Sequence, residues 1–155
     1  MPRPDAQREL MPSTVDRLLD PEGRSVFDLQ ALVAAVRRDL EDLLNTRQTT
    51  GDVPALYPEL RGSVFTFGLP DLNSLDAATS EQRAAIGVII EAMVNQFEPR
   101  LKDVHVHLVK GGDDKKSSIA FHIEAKVHAD PAPEVAFETI LELTTGHYFV
   151  KPTGS

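Results

Sequence analysis

Three groups of residues have the types and spacing to carry chemistry. His105, His107, His122 and His128 recur at even spacing within two alternating stretches, so they project from one polar face, where two or three imidazoles could converge on a metal ion. Glu98, Glu124, Glu138 and Glu142 are the carboxylates that could be nominated for general acid and base work, although the last three alternate with apolar residues as ordinary outer-face positions do. The third group is Glu98-Pro99-Arg100. Here proline fixes the chain direction and a planar, permanently charged donor follows a carboxylate by two positions, so the tripeptide presents a rigid opposite-charge pair. Such a pair can be an incidental feature of a helix stop, or it can exchange charge-assisted hydrogen bonds with another chain.

The elements that position these groups change character near residue 98. Ser13-Thr14-Val15-Asp16 has the spacing of a helix start, and Asp20-Pro21-Glu22-Gly23 ends that short helix. After Asp28, the residues Leu29, Leu32, Val33, Val36, Leu40, Leu43 and Leu44 recur in steps of three and four, which predicts a helix docked by one face. Arg37, Arg38, Glu41 and Asp42 fall on its outer face as a solvated surface, and Asn45 is its expected left-handed terminator. Gln48 to Ser63 is rich in breakers and reads as a long loop, while Val64-Phe65-Thr66-Phe67 is too short to assign by period. Thr79-Ser80-Glu81-Gln82 has capping-box spacing and opens a helix with Ile86, Ile89, Ile90, Met93, Val94 and Phe97 on its apolar face; Pro99 stops it. Glu98 therefore stands at a helix C-terminus, where the dipole disfavours a carboxylate.

Beyond that corner the period becomes two. Val104, Val106 and Leu108 alternate with Asp103, His105 and His107; after a turn at Gly111-Gly112-Asp113-Asp114, Ile119, Phe121, Ile123, Ala125 and Val127 do the same. Asp130-Pro131-Ala132-Pro133 turns the chain again. Val135 to Leu143 continues the meander, and Thr145-Gly146 marks a bulge or bend before His147-Tyr148-Phe149-Val150. The expected fold is α+β, with helices packed on one face of an antiparallel meander of three to four strands. It is read as a single domain over 1–155, helical through 98 and strand-rich over 99–151.

Composition narrows the functions. Sixteen Lys and Arg against 24 Asp and Glu give a net charge of −8, which argues against a phosphate-tracking surface and hence against nucleic acid. With no cysteine, thiolate metal sites and cysteine nucleophiles are excluded. There is no Gly-x-Ser-x-Gly elbow, phosphate loop or dinucleotide fingerprint, so no cofactor is expected. No window approaches the ~20 apolar residues of a membrane span, so no membrane insertion is expected and the default location is the cytoplasm. Absence of tryptophan and a 6% aromatic content offer no sugar platform. The cations divide unevenly: every Lys and all five His follow residue 100, while the first half uses only Arg.

Phe97-Glu98-Pro99-Arg100-Leu101 resembles the Glu-Pro-Arg signature of the TssE family of type VI secretion baseplate subunits, relatives of the phage baseplate wedge protein of the tail-lysozyme-like family. The segments Ser13 to Leu18, Arg38 to Arg47, Tyr57 to Val64, Gly68 to Leu72 and Leu141 to Tyr148 resemble it in the same order, so the likeness spans nearly the whole chain. Gly62 and Thr66-Phe67 depart from it, standing where Arg and Asn-Tyr are expected. The resemblance implies a structural wedge protein and not an enzyme, with Glu98, Pro99 and Arg100 as the protein-binding residues. The implied partners are TssF and TssG, with TssK beside them, and the sheath proteins TssB and TssC, whose polymerisation the sheet would template by strand augmentation. It also implies a cytoplasmic baseplate docked at the inner face of the inner membrane. The lysozyme-like name keeps a peptidoglycan-cleaving glycoside hydrolase as the alternative.

Overall fold

In the computed structural model the described residues are 10, 12–22, 28–48, 56–70, 79–109, 118–128 and 132–153. The turns expected at Gly111 to Asp114 and at Asp130-Pro131 lie outside them. Among the described residues three α-helices precede four strands: α1 (Thr14–Leu19), α2 (Leu29–Asn45), α3 (Ser80–Phe97), then β1 (Leu101–Leu108), β2 (Ser118–Val127), β3 (Glu134–Glu142) and β4 (His147–Pro152). The strands form one antiparallel sheet in the order β1-β2-β3-β4, which makes β1 and β4 the edges. The arrangement is α+β. Among the described residues no helix is long and apolar enough to cross a membrane.

Local chemistry sets the helix ends. Ser13 and Asp16 close a reciprocal capping box on α1, Thr79 and Gln82 do the same for α3, and the Asp28 carboxylate caps α2 by accepting from the Ala31 N–H. Asn45 does not adopt the left-handed conformation expected of it. It remains the last helical residue, Thr46 caps in extended geometry, and the freed amide side chain bonds elsewhere. The stretch read as a loop contains a 3-10 turn, Pro58–Gly62, and the stretch too short to assign by period forms a second, Val64–Thr66. They return the chain to α2 through a parallel bridge, the Leu69 N–H donating to Thr46 O and the Gln48 N–H to Leu69 O, both at 2.8 Å. Gly68 permits this at φ 103°, where a Cβ would lie 2.4 Å from Thr46 O.

α2 and α3 cover one face of the sheet. Leu32, Val36, Leu40 and Leu44 of α2 and Ile86, Ile90 and Val94 of α3 are buried against Phe121, Ile123, Phe137, Tyr148 and Val150. Gly87 brings α3 close to the Phe121 ring, 3.6 Å from where a Cβ would stand. On the wet face, basic residues sit across the strands from carboxylates: His105 opposite Glu124, His122 opposite Glu138, Lys151 opposite Glu138 and His147 opposite Glu142. Among the described residues, Lys151 of this face thus meets a carboxylate across the strands, while Lys102 stands opposite Lys126 and His107 opposite His122.

The bend expected at Thr145-Gly146 is the hairpin turn between β3 and β4, with Gly146 at φ 70°. The bulge lies instead in β1, between Lys102 and His105, with Asp103 at φ 52°. One extra residue there sends both Leu101 and Val104 into the core, which a strict alternation forbids.

Candidate functional site

Glu98 ends α3, Pro99 is exposed, and Leu101 begins β1, its N–H donating to Glu98 O at 3.1 Å to close the corner. Read from sequence, Glu98 and Arg100 lie off the core as a presented pair. The pair exists, but it is turned inward: Glu98 is 4% exposed and the Arg100 side chain 11%. Arg100 Nε donates to Glu98 Oε1 at 2.7 Å, its Nη2 donates to Glu98 Oε2, and its backbone N–H donates to Glu98 Oε1 at 3.1 Å. The carboxylate that the α3 dipole disfavours is held by this fork.

The pair extends into a ladder. Arg100 Nη2 also donates to Asp39 Oδ2 at 2.6 Å, and the other oxygen of Asp39 accepts from Arg38 Nε at 3.1 Å and Nη2 at 3.0 Å. Arg38 Nη1 then reaches Asp16 Oδ1 at 3.0 Å. Asp16, Arg38, Asp39, Arg100 and Glu98 therefore alternate in sign from α1 across α2 to the α3–β1 corner. Burial alone would lower the Arg100 pKa; the hydrogen bond and charge of Glu98, then those of Asp39, outweigh it and hold the guanidinium above its ordinary range. At the far end, burial would raise the pKa of Asp16, and hydrogen bonds from Ser13 and Arg38 overcome that and hold it below the ordinary carboxylate value.

Sequence reasoning missed Arg38, Asp39 and Asp16 as members of this site. By periodicity Arg38 falls on the solvated face of α2, and nothing in helical periodicity distinguishes a charge that meets another element from one that meets water. The only signal was that all five residues fall within segments carrying the family resemblance. Glu41 was misread for the same reason: its carboxylate accepts from the Val150 N–H at 3.2 Å as well as from Arg37. Beside the corner, Phe67 meets Phe97 edge-on at 5.3 Å between ring centroids, and the Gln96 side chain donates to Arg61 O.

The remaining candidates do not join this site. His105 and His107 are stacked at 6.5 Å, and His122 lies opposite His107 with its Nε2 3.5 Å from Glu124 Oε1. Among the described residues, no three His, Asp or Glu side chains are placed to hold a metal ion. Glu124, Glu138 and Glu142 stand on β2 and β3 as members of the wet face, while the Glu98 carboxylate is engaged by Arg100 at the corner.

Helices packed on one face of a meander and tied at its corner by a part-buried charge ladder make a protein whose charged residues hold shape. The chain belongs to the baseplate wedge protein gp25 family, whose model matches residues 30–132; this is also the family of TssE. The family is a structural one, of phage-tail-like baseplates. The match contains Asp39, Glu98, Pro99 and Arg100 and runs from α2 through β2. Neither the comparison with curated proteins nor that with solved structures returned a match.

Proposed function

We propose that this chain is a wedge subunit of a type VI secretion baseplate, a TssE-like protein acting in the cytoplasm. Its α3–β1 corner docks on TssF and TssG, with TssK beside them, and its sheet templates polymerisation of the TssB–TssC sheath. Family membership together with the corner carries this reading: the signature tripeptide coincides with the point where three helices and the sheet are tied by ion pairs. The corner docks as a preformed unit. Glu98 and Arg100 keep their internal bonds and fix its shape, while exposed Pro99 and the adjoining main chain meet the wedge subunits, so little conformational entropy is lost on binding.

The test is co-purification of TssF and TssG with Pro99→Asp, which places a charge on the exposed tip without touching the ladder. Capture should fall while the melting temperature drops by only about 2–4 °C, the effect of the roughly 1 kcal/mol that losing the proline and adding a carboxylate at the α3 C-terminus costs. Undiminished capture would sink the docking role of the corner.

A further inference from the structure

The two edges of the sheet are not equivalent. Outward-facing backbone groups alternate along an edge strand. In β4 the Thr153 N–H bonds to Ala136 O, so Tyr148, Val150 and Pro152 are the residues facing away from β3. Each of their donors is accounted for: the Tyr148 N–H donates to Asn45 Oδ1 at 2.9 Å, the Val150 N–H donates to Glu41 Oε2 at 3.2 Å, and Pro152 has none. Tyr148 O also accepts from Asn45 Nδ2 at 2.9 Å. Inward side chains of this edge are complete as well, Tyr148 being 3% and Val150 2% exposed.

At β1 the Val109 N–H bonds to Ala120 O, which turns Val106 and Leu108 outward. Among the described residues a single clamp meets them, Glu91 Oε2 accepting from the Val106 N–H at 2.9 Å. Their side chains point to the core but are only half-buried, so among the described residues both the hydrogen-bond ladder and the apolar layer stop short here. The bulge at Asp103 confines the regular part of this edge to 104–108.

We infer that the edge of β1 over 104–108, and not β4, accepts an extended segment of a sheath subunit, which displaces the Glu91 carboxylate as it adds. The segment alternates: apolar side chains continue the layer of Val106 and Leu108, and polar ones lie beside His105 and His107 on the wet face. This rests on the sheath-templating reading above and assigns its site.

Amide hydrogen exchange of the full chain, alone and with the TssB–TssC pair, tests it. Exchange at Leu108 and its neighbours should slow on complex formation while 147–152 is unchanged. Glu91→Ala, which frees the Val106 N–H for the incoming strand, should tighten binding about fivefold, the worth of one hydrogen bond no longer competed for. New protection at 147–152 with β1 unchanged would overturn the edge assignment and leave templating standing. Binding without protection at either edge would overturn augmentation itself. Failure of the sheath pair to bind the intact chain would remove both.

Discussion

Arg100→Ala tests the ladder where it is most buried. The substitution removes the fork that holds Glu98 and the bond to Asp39, leaving a carboxylate 4% exposed with a single backbone donor. Removing one member of a buried pair costs about 3–5 kcal/mol, because the stranded charge stays desolvated. In a chain of this size each kcal/mol moves the melting temperature by about 2–4 °C, so thermal unfolding followed by circular dichroism should drop by roughly 6–20 °C. Asp39 is 28% exposed on its side chain, and Asp39→Ala leaves the Glu98–Arg100 fork intact, so its cost should be nearer 1 kcal/mol. Glu98→Leu with Arg100→Met removes both charges at similar volume and should recover most of the loss, a non-additivity that only a direct pairing produces. A loss below about 1 kcal/mol for Arg100→Ala would refute the reasoning, since it would mean that Glu98 reaches water without its partner.

Tyr148 is buried and its hydroxyl has no partner among the described residues; burial pushes its pKa up to about 12 from 10.0. Its stabilising contribution is therefore complete below pH 10.0 and lost as pH rises through about 12, and Tyr148→Phe should abolish that alkaline loss in pH-dependent melts at little cost at neutrality. Asp16 is held below its usual 3.8, so the difference in stability between the parent and Asp16→Asn, about 1 kcal/mol at neutral pH and read from pH-dependent melts, should be full above that value and shrink as the pH falls below it. Two glycines should respond oppositely in chemical denaturation: Gly87→Ala, where the new methyl makes an ordinary 3.6 Å contact, gains about 0.5–1 kcal/mol, while Gly68→Ala, at φ 103° against Thr46 O, loses at least about 2 kcal/mol. Asn45→Ala strips two backbone groups of β4 of their partners and should cost about 1–3 kcal/mol, with faster exchange of the Tyr148 amide.

Much of the fold was legible because it depends on local rules. The period of three to four from Leu29 to Leu44, the capping box at Thr79 and the alternation from Ile119 to Val127 each name an element without reference to anything distant. The Asp103 bulge was not legible, since Val104, Val106 and Leu108 alternate correctly by themselves and only the place of Leu101 betrays the extra residue. For the site, Glu98 and Arg100 were visible through their type and position, but their inward orientation was not. It depends on Asp39, 61 positions earlier in the chain, and a contact over that separation leaves no periodic trace. Asn45 failed similarly: its propensity to end a helix was read correctly, yet Tyr148 claims its amide from 103 positions away.

Both clamps on the sheet edges come from helices, Asn45 and Glu41 from α2 and Glu91 from α3, and both helices precede every strand in the chain. A polypeptide made from its N-terminus consequently possesses its guards before it has an edge to guard. When β1 emerges, α3 is already complete. When β4 closes the meander last, α2 can receive it at once. Unpaired strand edges are where nascent chains associate wrongly, and here the period of exposure is limited by docking onto a finished helix.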